Sequence, residues 1–118
     1  MKDLLKDIRV AQIVEDDILV INKGVNDFID NSMRFLVFEE GNEIFDPVTN
    51  ESLGKLEKPK GFFKVQHIQE KMTVLVSELR REKNVFSHLI FQGDLSVEKD
   101  LLKTIKVGDK VKIVNLNF

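Results

Sequence analysis

Hydrophobic and polar residues alternate in short runs along most of this chain. "IRVAQIV" sets Ile8, Val10 and Val14 against Arg9, Ala11 and Ile13, and "DILVIN" follows a tight acidic turn at Glu15-Asp16. Both runs are rich in β-branched residues, which suit a pleated, half-buried surface, and together they predict a first hairpin. "RFLVFEE" over 34–40 is apolar on both parities, with Leu36 and Phe38 on one face and Phe35 and Val37 on the other. That fits a strand covered on both sides or bent around a small barrel, ended by Gly41-Asn42. Pro59 and Gly61 bound another turn. "FFKVQHI" and "MTVLVSEL", joined by Gln69-Glu70-Lys71, then predict a second hairpin in which Met72, Val74 and Val76 share a face. Phe63 and Val65 agree in parity while Ile68 does not. One extra residue switches the face, so a bulge is expected near Gln66-His67.

Outside these runs the pattern is less regular. Residues 2–7 read as a helical turn or a frayed end, "RREKN" as a loop and "VFSHLIF" as a strand. Ser96 is placed to cap a short helix within 96–105, with Glu98 in its first turn and Val97, Leu101 and Ile105 on one side. Gly108-Asp109 supplies a last turn before a strand with Val111 and Ile113 on one face. Short strands separated by Gly, Asn and Asp turns predict a mainly β fold. The expected architecture is a small closed or partly open β-barrel, SH3-like or OB-like, with that one helix. A chain of 118 residues reads as one domain, 1–118.

Composition narrows the function classes. At 42% hydrophobic residues the chain can bury roughly two thirds of its unfolded surface without a metal or disulfide staple. Its 18 basic and 20 acidic residues are interspersed for a net charge of -2, which argues against a protein built to ride on phosphate backbones. The absence of cysteine removes disulfides, thiol nucleophiles and thiolate metal sites. No apolar run approaches the roughly 18 residues of a membrane span, so membrane insertion is not expected. "MKDLLKDIRV" places Asp3 and Asp7 where a signal peptide has an apolar core. The expected compartment is the cytoplasm if Met1 is the native start, and the cell envelope if the chain is cut from a longer exported protein.

"EIFDPVTNESLGK" (43–55) is the most patterned stretch. Asp46 can bind the backbone just ahead of it, Pro47 presets φ, and Asn50 tolerates a left-handed conformation, so Asp46, Pro47, Thr49, Asn50 and Gly54 read as a tight corner between strands. With "KGVNDFIDNSMRFLVF" before it and "GFFKVQHIQEKMTVLVSE" after it, this stretch resembles the C-terminal domain of flagellar assembly protein T. That small β-barrel domain also occurs in other bacterial envelope and surface-assembly proteins. The likeness covers about residues 9–78, leaving 80–118 as a divergent extension that would complete the barrel. The family pattern Ile-x-Asp-Pro-x-Thr-Gly-Glu-x-Leu-Gly is met by Ile44, Asp46-Pro47, Thr49, Glu51, Leu53 and Gly54, with Asn50 replacing a glycine. Upstream, Gly24, Phe28-Ile29, Ser32, Phe35 and Val37 meet the family's glycine-rich spacing, with Phe28 and Ser32 standing where the family has glycine. If the backbone there needs positive φ, both replacements carry strain. What the resemblance implies is a non-catalytic assembly module.

The side chains supply little chemistry. His67 and His88 lie in apolar, strand-like runs without an evident carboxylate partner, and their separation matches no zinc spacing. Asp16-Asp17 and Glu39-Glu40 flank predicted turns, where solvated carboxylates are ordinary, and Asp27, Asp30 and Asn31 lack the pattern of a calcium loop. No phosphate-cradling glycine loop or nucleophile elbow is present. The expectation is therefore no enzyme, no cofactor and no metal. Phe62 and Phe63 are adjacent, so in a strand they point to opposite faces and cannot both enter one core. One of them meets a covering segment from 80–106, a partner or water. Phe62 with Lys60 and Lys64 is the candidate interaction surface, for a protein partner or self-association. The alternative reading is a barrel that stacks single-stranded nucleic acid on Phe62.

Overall fold

The computed structural model describes residues 7–81 and 99–114. The elements are β1 (Ile8–Glu15), β2 (Ile18–Ile21), a 3-10 turn (Val25–Asp27), β3 (Arg34–Phe45), β4 (Ser52–Ile68), β5 (Thr73–Ser77), a short helix α1 (Glu78–Arg81) and β6 (Lys110–Ile113). The six strands pair antiparallel in the ring β1-β2-β5-β4-β3-β6, and β6 pairs with both β1 and β3 to close it. The fold is mainly β, as the alternation predicts. A helical turn over 99–102 falls inside the expected 96–105 helix. The expected cap at Ser96, the "VFSHLIF" strand, His88, most of the "RREKN" loop and most of residues 2–7 lie outside the described residues.

Inside the ring, Phe35, Val37, Phe63, Leu19, Ile21, Leu75, Val10 and Val111 form the core, joined by Ile29, Leu102 and Ile105. β5 contributes Leu75 flanked by buried Thr73 and Ser77, so Met72, Val74 and Val76 share the outer face. Thr73 is satisfied there because its hydroxyl donates to the Lys23 carbonyl at 2.8 Å. On the outer face Ile18, Leu36, Phe38 and Val76 are also nearly buried, so the sheet carries apolar residues on both sides.

Bulges decide which residues face in. A register shift between Val10 and Gln12 lets Ile13 pack on the core and turns Val14 out, where simple alternation groups Val14 with Ile8 and Val10. Another shift between Val65 and His67 leaves Gln66 unpaired and lets both Val65 and Ile68 pack inward. The turn expected at Pro59–Gly61 and the strand end expected at Gly41-Asn42 are corrected by the structure. β4 runs unbroken for 17 residues and β3 for 12, with bulges at those places instead. An edge strand tolerates Pro59, since a missing N–H costs little where it has no partner.

Gly24 fits where only hydrogen does. A Cβ there would lie 2.2 Å from the Gln69 carbonyl oxygen and 2.7 Å from that of Glu70. That contact docks the 3-10 turn on the β4–β5 connection, with the Val25 and Asn26 N–H groups donating to the same two carbonyls.

Candidate functional site

The longest hairpin is also the least covered part of the described structure. β6 pairs with β3 only over Phe35–Phe38, and β5 pairs with β4 only over Phe63–Ile68. Beyond those points Glu39–Phe45 pair only with Ser52–Lys58, so the hairpin leaves the barrel as a two-stranded arm. At roughly 3.4 Å per residue it reaches about 20 Å past the last ring pairing. Its two outer edges carry no ladder among the described residues.

The sequence motif builds the tip. Asp46 Oδ1 accepts from the N–H groups of Val48 at 2.7 Å and Thr49 at 3.4 Å, and the Asp46 carbonyl accepts from Asn50 N–H at 2.8 Å. Pro47 follows Asp46 in the bend, and Asn50 sits at φ 66°. Thr49 Oγ1 accepts from Glu51 N–H at 3.3 Å, and Ser52 Oγ accepts from Gly54 N–H at 3.2 Å. Gly54 has φ 100°, a conformation that glycine adopts without a Cβ clash, beside the bulge that offsets Ile44/Gly54 from Phe45/Ser52. The carboxylate of Asp46 is thus occupied with the backbone of its own corner.

Register divides the arm into two unlike faces. Glu40, Glu43, Lys55 and Glu57 continue the barrel's outer face. Glu40 and Glu57 are tied to it by ion pairs from Lys110 to Glu40 at 3.1 Å and Lys112 to Glu57 at 2.6 Å. The opposite face continues the barrel's inward parity out into solvent and carries Ile44 and Leu56, both exposed, beside exposed Lys58. Phe45, Leu53 and Val48 add further exposed apolar area toward the tip, with Val48 88% exposed. Here an interior-type pattern has no interior.

The residues singled out as an interaction surface do not act together. Lys60 is corrected: it is 6% exposed, and its Nζ meets Asp109 at 2.8 Å, Glu39 at 3.0 Å and the Thr104 carbonyl at 2.9 Å. It occupies a bulge, since Val37 pairs with Gly61 and Phe38 with Pro59, and that extra residue swings its side chain to the barrel mouth instead of beside Phe62. Phe62 is 40% exposed, but the Arg34 guanidinium lies 4.1 Å above its ring while also gripping Glu78 through two hydrogen bonds. Lys64 is exposed and stands opposite Arg34 on the outer face.

Asp109 is the centre of the mouth cluster. Its carboxylate also accepts from Lys106 N–H at 3.0 Å and pairs with Lys106 Nζ at 3.2 Å, while Gly108 beside it takes φ 97°. The hydrogen bond from Lys60, reinforced by one from Lys106, holds the Glu39 carboxyl below its usual range. Every buried side-chain polar atom among the described residues has a partner, so this cluster reads as a clasp. Sequence spacing holds no sign of it, because its members come from three distant segments. His67 is exposed on β4. Among the described residues no three acidic or imidazole side chains converge as a metal set, and no helix is long and apolar enough to cross a membrane.

No protein-family model and no curated protein matches this chain. The likeness to the flagellar assembly domain therefore rests on the motifs quoted above.

Proposed function

We propose that this protein is a non-catalytic interaction module that engages other protein chains through the β3–β4 arm, in the manner of the bacterial assembly domains it resembles. The observation that carries this reading is the arm's apolar face. Ile44 and Leu56 keep the inward parity of the barrel after the barrel has ended, and Phe45, Leu53 and Val48 stand exposed nearer the tip. A two-stranded hairpin is marginal alone in water, and its open edges are templates for strand addition. The nucleic-acid alternative has less support, because Lys60 is buried in the clasp and Arg34 already occupies the Phe62 ring.

A photo-crosslinking residue at Leu53, introduced into the full chain in cells, tests the proposal. The expected result is discrete protein adducts at Leu53 and none at the exposed control position Lys71. Equal labelling at both positions, or none at either, overturns it. Fluorescence anisotropy with a labelled oligothymidylate at low salt is expected to show no binding.

A further inference from the structure

The two edges of the arm differ in what they can pair with. The free edge of β3 carries Glu39 and Glu40, already held by Lys60, Lys106 and Lys110, and then Glu43, with no basic residue of its own to complement a second copy of the same edge. The free edge of β4 runs from Ser52 to Phe62 and reads Ser-Leu-Gly-Lys-Leu-Glu-Lys-Pro through residue 59. This segment has a property that the alternation alone does not require: it is complementary to itself when reversed.

We infer that the β4 edges of two copies of this chain pair antiparallel about a two-fold axis at Leu56. The inference rests on the interaction reading above and narrows its partner to a second copy. An axis normal to the sheet is the symmetry that lets one strand edge pair antiparallel with its own copy, and it keeps each face on its own side. Centred on Leu56, it sets Lys55 opposite the second copy's Glu57, and Glu57 opposite the second copy's Lys55. Leu56 meets Leu56, and the bulge at Leu53-Gly54 ends the ladder on the tip side. Moving the axis by one residue sets Lys55 against Lys55 or Glu57 against Glu57, so charge selects a single register. Pro59 has no N–H to donate and marks where the ladder ends at the barrel mouth. The paired arms make a four-stranded sheet in which Leu56 and Ile44 of both copies form one continuous apolar strip. Lys55 and Glu57 stay on the other face, on the side of Lys110 and Lys112, and Lys58 flanks the strip.

Sedimentation velocity over a concentration series tests this with two charge reversals. The wild-type chain is expected to pass from monomer to dimer as concentration rises. Lys55→Glu and Glu57→Lys each place like charges opposite at two symmetry-related positions, and each is expected to weaken the dimer about tenfold or more. Mixed in equal amounts, the two variants regain attraction at both positions, because the carboxylate introduced in one chain faces the ammonium introduced in the other. A heterodimer then forms at concentrations where neither variant self-associates. Since each variant keeps its own local perturbation in the mixture, a change in arm folding alone does not reproduce that rescue. A wild-type chain that stays monomeric, or a dimer indifferent to the reversals, overturns the inference. A monomer in which Leu53 still crosslinks to a different protein removes self-pairing and leaves the interaction reading standing. Loss of both results removes both.

Discussion

Phe28 holds a left-handed backbone at φ 66° while its ring is 55% exposed, and it closes the 3-10 turn where the resembling family carries glycine. A left-handed non-glycine residue of this kind costs of order 1 kcal/mol. Phe28→Gly is therefore expected to raise the unfolding free energy by about 1 kcal/mol in urea titration, while Phe28→Ala, which keeps the Cβ clash, gains nothing. Ser32, the other replacement, is not among the positive-φ residues; its N–H donates to Asp30 Oδ1 at 2.8 Å. Sequence alone flagged both positions but could not separate them, because strain depends on a φ value that residue type does not specify. At the barrel mouth the stakes are larger. Asp109→Ala removes the main acceptor of a buried ammonium, and by the usual cost of breaking a buried ion pair about 3 kcal/mol of stability is expected to be lost in the same assay.

At the scale of elements, the arm and the ring are energetically distinct. The core residues lie in the ring, and the arm beyond Glu40 and Glu57 buries almost none of its side chains. Replacing residues 41–56 with Asn-Gly is expected to leave a cooperatively folding barrel whose unfolding free energy changes by less than about 1 kcal/mol. Loss of cooperative unfolding would mean that the arm is part of the fold. The hairpins at β1–β2 and β4–β5 were legible because β-branched alternation and a polar turn coincide in each. The bulge at Gln66 was legible because Phe63 and Ile68 disagree in parity. The arm was not. Gly41-Asn42 and Pro59–Gly61 carry turn chemistry, yet here they sit in bulges of strands that continue past them. Local composition does not tell a turn from a bulge, because both need the same permissive residues.

For the whole molecule, closure of the ring depends on β6 and on the clasp that seats the 104–109 segment beside it. Its acid sensitivity follows from Glu39, whose carboxyl is held below its usual range first by Lys60 and then by Lys106. A carboxylate with a lowered folded-state pKa contributes stability that is present above its unfolded pKa and lost as pH falls through the folded one. Stability is therefore expected to decline as pH drops below the ordinary glutamate range, and Glu39→Gln is expected to flatten that part of the profile in thermal melts. The clasp itself was not readable from sequence. Alternation groups Lys60 with Phe62 and Lys64, and only the pairing of β4 with β3 turns it inward.

Residue-resolved amide hydrogen exchange, run on dilute and concentrated samples, tests the central claim that the barrel ends before the β3–β4 hairpin does. Strong protection is expected at Phe35, Val37, Phe63 and Leu75, and fast exchange at the outward N–H groups of residues 53–58 in dilute solution, with protection there rising as concentration increases. Core-like protection across 40–58 in the dilute sample would contradict the account, because the arm would then be covered within a single chain.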